Sequence, residues 1–126
     1  MEALGKQILV EFYNCGKHIL NNRNRIEQAM KEAVQLSGAT IIATTVHTFS
    51  PFGVSGVVVI AESHVAIHTW PEYGYAAVDI FTCGECIDPW VIKKYLKKEL
   101  VSENSSVMEL KRGVFDVNQK IRRKVS

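Results

Sequence analysis

Between Ser55 and Thr82 the chain carries three strand-like runs with very short connections: Ser55–Ala61, Val65–Trp70 and Tyr75–Thr82. Valine, isoleucine, threonine and aromatic residues dominate them, as in half-buried strands. A crossover between parallel neighbours takes about a dozen residues or more, so connections this short dictate antiparallel pairing. The second connection, Pro71-Glu72-Tyr73-Gly74, has the composition of a turn. The first, Glu62-Ser63-His64, does not, because a plain hairpin places Gly or Asn there. A hydroxyl and an imidazole at a chain reversal suggest a corner that does more than turn.

The flanks add two amphipathic helices and three further strands. Lys6–Cys15 reads as a strand. From Arg25, the residues Ile26, Ala29, Met30, Ala33 and Val34 fall on one helical stripe, with Asn24 as the expected cap and Gly38 as the stop. Residues 39–49 form a second strand, broken by Pro51 and Gly53. Asp88 and Pro89 open a helix whose apolar Trp90, Val91, Tyr95 and Leu96 leave lysines outside, and residues 105–113 supply a last strand. The order βα-ββββ-αβ predicts an α+β fold, a two-layer α/β sandwich with a mainly antiparallel sheet and both helices on one face. At 126 residues and 47% hydrophobic content, a single domain over 1–126 is expected.

A net charge of +2 with mixed-sign segments, and a single basic run in the tail KIRRKVS, gives no footprint for nucleic acid. No run approaches the roughly 18 apolar residues that span a bilayer, and the N-terminal lysines lie within or after a short apolar run, unlike a secretory signal. Neither membrane nor nucleic acid is an expected partner. Three cysteines at positions 15, 83 and 86 are poor material for a disulfide scaffold, which points to a reduced cytoplasmic protein.

Three constellations compete for the chemistry. Cys83-x-x-Cys86 has the spacing of a redox pair, but Ile87-Asp88-Pro89 intervenes before the helix, whereas a thioredoxin-like chain runs its helix directly onto the second cysteine. His64 and His68 with the two cysteines have the ligand types for zinc, yet on a strand the histidines stand about 13 Å apart and cannot share one ion. No metal is expected. There remain Glu62-Ser63, His68 and Cys83, groups capable of nucleophilic or acid–base work in or near apolar strands, where polar groups are costly unless paired.

The stretch Gly53–Gly84 reads S-G-V-V-x-I-x-E-S-H, then I-H-x-x-P-E-x-G-Y, then D-x-x-T-C-G. In this it resembles the core of the short bacterial and archaeal S-adenosylmethionine decarboxylases, the pyruvoyl-dependent enzymes of spermidine synthesis. The resemblance implies a proenzyme that cleaves itself between Glu62 and Ser63 into 1–62 (beta chain) and 63–126 (alpha chain), Ser63 becoming the pyruvoyl cofactor that holds the substrate as a Schiff base. It further implies that Ser55 and His68 serve processing, His68 as the proton acceptor, and that Cys83 is the proton donor in catalysis. Glu72 would bind the ribose hydroxyls of S-adenosylmethionine. Phe49 and Trp70 are candidates to sandwich the adenine, since a sulfonium nucleoside offers aromatic side chains a π face and a cation. Some relatives with this fold decarboxylate arginine, and Glu72 could equally face a guanidinium, so that substrate is the alternative at this stage.

Counting along the strands constrains the site independently of any family. If Pro71–Gly74 joins antiparallel neighbours, Ser63 lies within a residue of Cys83, and the same count across the Glu62-Ser63 corner brings Ser55 near His68. Ser63 and His68, five residues apart on one extended strand, are separated by roughly 17 Å. The Ser63/Cys83 pair of one chain is therefore expected to meet the Ser55/His68 pair of another, in a two-fold homodimer with composite sites.

Overall fold

The computed structural model describes residues 2–83 and 87–115. In chain order they form β1 (Glu2–Tyr13), α1 (Lys17–Leu20), α2 (Arg23–Leu36), β2 (Ile41–Thr48), β3 (Val54–Ile60), β4 (Ser63–Trp70), β5 (Tyr75–Cys83), α3 (Pro89–Glu99) and β6 (Asn104–Phe115). A 3-10 turn over Pro71–Tyr73, closed by Gly74 in the left-handed region, joins β4 to β5. The strands make one sheet in the order β2-β3-β4-β5-β1-β6, with every neighbouring pair antiparallel. The expected two-layer α+β architecture is what the chain adopts.

Period-two alternation decides the layers. In β4, Ser63, Val65, Ile67 and Thr69 are buried while His68 and Trp70 are exposed. Ala76, Val78, Ile80 and Thr82 of β5 and Ile8, Val10 and Phe12 of β1 share the buried face. Against it α2 lays the stripe read from the sequence, Ile26, Ala29, Met30, Ala33 and Val34, all buried. Each large aliphatic side chain so buried contributes about 1.5–3 kcal/mol. Among the described residues no helix is long and apolar enough to cross a membrane.

Several local readings change. β1 begins at Glu2 and ends at Tyr13, because Asn14 takes φ +52 and turns the chain before Cys15. Residues 17–20, too short to show a period, form α1. The cap of α2 is Asn22 and not Asn24: the Asn22 side chain accepts from the Arg25 N–H at 3.1 Å, so Asn24 lies inside the first turn. Asp88 caps α3 as expected, accepting from the Trp90 N–H at 3.0 Å, but the buried stripe runs through Pro89, Ile92, Leu96 and Leu100. That 3-4-4 spacing turns Trp90 onto an exposed flank. Removing the α2 cap by Asn22→Ala is expected to lower stability by about 1 kcal/mol, measured by urea unfolding.

Candidate active site

The helix layer covers one face of the sheet and leaves the other open. On the open face the register aligns whole rows of side chains. One row passes through Ser55, His68, Ala77 and Glu11, and a parallel row through Val59, His64, Phe81, Gln7 and Leu110. Facing positions of an antiparallel pair project to the same side, so these groups form one surface.

Ser55 lies directly opposite His68, and its Oγ is 2.7 Å from His68 Nδ1. This pair sits in a pocket of about 280 Å³ lined also by Phe49, Phe52, Trp70 and Glu72. Phe49 meets His47 edge to face at 4.7 Å. Trp70 stacks on Tyr75 at 5.3 Å, and Tyr75 on Tyr13 at 5.6 Å, which braces the pocket's aromatic wall from the next two strands. The Tyr75 hydroxyl donates to the Glu11 carboxylate. Burial, then that bond, pushes the Tyr75 phenol well above its usual range and keeps it a neutral donor. A wider cleft of about 680 Å³ lies beyond Phe52 and Glu72, lined by Lys17, His18 and Arg23 among others; neither Ser55 nor His68 lines it.

Ser63 stands at the other end of β4. Ile60 and Ser63 are register partners, so Ala61 and Glu62 form a two-residue hairpin loop. Glu62 has φ +57, a left-handed conformation that glycine or asparagine adopts at least cost and that costs a Cβ-bearing residue about 1–2 kcal/mol. The strained residue is thus the one whose carbonyl precedes Ser63. The Cys83 backbone N–H donates to Ser63 Oγ at 3.4 Å, a long bond that still fixes the two as neighbours. The Cys83 thiol is free and partly exposed. Cys86, the other half of the Cys-x-x-Cys motif, lies outside the described residues.

The structure therefore brings the candidate residues together as two pairs. β4 runs unbroken from Ser63 to Trp70, so Ser63 and His68 are held about 17 Å apart. They also point to opposite faces, the serine toward the helices and the imidazole away. Phe52, Tyr75 and Glu11 were not singled out from sequence. Phe52 sits inside what reads as a turn, whereas the pairing of Tyr75 with Trp70 follows from the same count around Pro71–Gly74 that places Ser63 near Cys83.

Known proteins resemble this chain over nearly its whole length. The profile of the S-adenosylmethionine decarboxylase family matches residues 6–113. The S-adenosylmethionine decarboxylase proenzyme of Thermotoga petrophila is 56% identical over 116 residues, which are 92% of this chain and 89% of that one. The proenzyme of Acetivibrio thermocellus is 54% identical over 121 residues, 96% of this chain and 98% of its own. The crystal structure of the adenosylmethionine decarboxylase from Aquifex aeolicus superposes with a TM-score of 0.84 at 30% identity, covering 96% of this chain and 100% of that one. A match that runs through both residue pairs and the sheet that carries them leaves one assignment: the chain belongs to the S-adenosylmethionine decarboxylase family.

Proposed function

We propose that this chain is a pyruvoyl-dependent decarboxylase that converts S-adenosylmethionine to S-adenosylmethioninamine and carbon dioxide for spermidine synthesis, after cutting itself between Glu62 and Ser63. The observation that carries the reading is the β3–β4 corner. There Glu62 takes a left-handed conformation immediately before Ser63, whose hydroxyl accepts from the Cys83 amide. Those residues fit a cofactor made from the chain itself. Ser63 Oγ attacks the Glu62 carbonyl, the Ser63 nitrogen leaves it, and a backbone ester replaces the amide. Removal of the Ser63 α-proton expels the Glu62 carboxylate. Water then adds to the resulting enamine carbon, ammonia departs, and residue 63 is left as a pyruvoyl group that opens the chain 63–126.

His68 is the base for the α-proton. The 2.7 Å contact between Ser55 Oγ and His68 Nδ1 holds the ring plane, and in the tautomer whose Nδ1–H donates to Ser55 the lone pair of Nε2 is free to accept. Because His68 stands about 17 Å from the Ser63 of its own strand, the base is supplied by a second copy. Two open sheet faces stacked about a two-fold axis bring the partner's Ser55/His68 pair to the corner beside Cys83, from the face opposite the Ser63 side chain, so that the Ser63 α-proton and not its hydroxyl is what the base takes. Support for that stacking comes from the open face itself, where Val59, Met108 and Leu110 are 39%, 58% and 41% exposed.

In the mature enzyme a pyruvoyl group at position 63 would supply a carbonyl for the substrate's amino group and an electron sink for loss of carbon dioxide. Cys83 keeps a proton at Sγ for the α-carbon. Glu72 accepts from the ribose hydroxyls, and Phe49 and Trp70 take the adenine face and the sulfonium charge. A free thiol in this role suits the reducing cytoplasm.

Release of labelled carbon dioxide from carboxyl-labelled S-adenosylmethionine, with none from carboxyl-labelled arginine, is the expected outcome, and the reverse pattern refutes the substrate assignment. Cys83→Ala is expected to lower kcat by about 10²-fold or more while the chain still cleaves, because general-acid help is needed only after processing. Unchanged turnover in this variant would remove the acid from Cys83.

A further inference from the structure

Thr69 is one of the few buried polar residues, and the chemistry above makes no use of it. It lies between His68 and Trp70 in β4, yet its side chain points to the opposite, helix-covered face. Its Oγ1 accepts the Val54 N–H at 2.8 Å and lies 2.8 Å from the Leu20 carbonyl oxygen, with the Val54 carbonyl oxygen at 3.2 Å. A hydroxyl has one proton to give, so the shorter contact, to Leu20, takes it. One residue earlier, the Gly53 N–H donates to Asn21 Oδ1 at 2.9 Å.

These bonds meet at the exit of a small loop. The Phe49 N–H donates to the Gly53 carbonyl at 2.8 Å and closes residues 49–53 on themselves. The loop supplies two walls of the pocket, Phe49 and Phe52, which are 48% and 41% exposed and so owe little of their placement to packing. Gly53 has φ +112, and a Cβ there would stand 3.2 Å from the Thr69 carbonyl oxygen, so the loop is pressed against the strand that bears His68 and Trp70. Consecutive N–H groups of Gly53 and Val54 are thus fastened by side chains from the end of α1 and from β4.

We propose that Thr69, assisted by Asn21, is a positioning residue for substrate recognition: its hydroxyl locks the Phe49–Gly53 loop in register with His68 and Trp70, so that the aromatic walls stand ready for the nucleoside. The inference rests on the reading of this pocket as the nucleoside site. Without the hydroxyl, the Val54 N–H and Leu20 carbonyl lose a buried partner, and the loop must shift to regain one. A residue that only held the fold together would change stability and leave the pocket's affinity alone.

The test uses the processed enzyme with Thr69→Val, Thr69→Ser and Asn21→Ala. KM and kcat are measured with S-adenosylmethionine, and binding of 5′-methylthioadenosine, a nucleoside without the amino-acid head, is followed by tryptophan fluorescence. Thr69→Val is expected to raise KM and the methylthioadenosine Kd together by about tenfold with kcat within about twofold, since the loss falls on binding. Thr69→Ser should restore both constants to within about twofold, and Asn21→Ala, which removes one bond, should raise them about threefold. A folded Thr69→Val enzyme with wild-type KM and Kd overturns the proposal. If that variant fails to fold, unchanged constants in Asn21→Ala overturn it instead. A wild type that releases no carbon dioxide would refute the proposed function, and the nucleoside titration would still judge the loop.

Discussion

Purified protein is expected to run as two fragments, residues 1–62 and 63–126, and the Ser63→Ala protein as a single chain of about 14.1 kDa. The second wild-type fragment should be blocked to Edman sequencing, and its mass should fall one ammonia below that of a fragment starting in serine. Decarboxylation by Ser63→Ala should drop by at least about 10³-fold, because the change removes the nucleophile and, with it, the only source of the carbonyl cofactor. The fold should survive. Ser63 receives one long bond of 3.4 Å from Cys83, so its loss is worth about 1 kcal/mol, readable in the urea midpoint. A wild-type chain that stays whole and unblocked after prolonged incubation would end the self-processing proposal.

Co-expression of Ser63→Ala with His68→Ala is expected to recover what neither has alone. In a two-fold dimer, one composite site of the mixed pair joins the intact Ser63 of the second chain to the intact His68 of the first, and the other site has neither. With equal amounts and random pairing, half of the dimers are mixed, so recovery approaches about a quarter of wild-type sites. The identity of the cut chain is a sharper readout than activity. Position 68 lies in the second fragment, so mass alone shows whether the cleaved chain is the one carrying His68→Ala, as sharing demands. Isolated mixed dimers without cleavage would place the base within the same chain, against an unbroken β4 that separates Ser63 from His68.

Much of this geometry could be read in advance wherever a physical period governs it. Short connections between Ser55 and Thr82 allowed only an antiparallel meander, and counting outward from Pro71–Gly74 brought Ser63 to Cys83 and Ser55 to His68. The stripe of α2 was legible because five apolar residues repeat at helical spacing with Gly38 to stop them. Harder to read was anything set by competition between equals. Asn22 and Asn24 can both cap a helix, and which one does depends on how α1 delivers the chain, a helix of four residues with no period to see. Trp90 looked like core by hydrophobicity alone, whereas Pro89, Ile92, Leu96 and Leu100 fit the sheet at better spacing. The placement of β1 between β5 and β6 joins residues far apart in sequence and leaves no local trace. Thr69 was hidden for a different reason: a threonine in a strand is ordinary, and only the loop that reaches it shows what its hydroxyl holds.

If the chain cuts itself at Glu62-Ser63 as proposed, the strand order governs what becomes of the two pieces. Residues 1–62 own β1, β2 and β3, and residues 63–126 own β4, β5 and β6, so the sheet alternates ownership across β2-β3, β4-β5, β1 and β6. Three seams, β3 with β4, β5 with β1 and β1 with β6, then join separate polypeptides. The two pieces are interleaved like the fingers of clasped hands, and neither can be withdrawn without dismantling the whole sheet. Such a cut would leave the strand pairing in place while changing how it can be regained. Before the cut, refolding is a unimolecular search; afterwards two chains must find each other, and recovery becomes dependent on dilution. A mature enzyme made in this way would be a one-time assembly, built while its halves are still tethered.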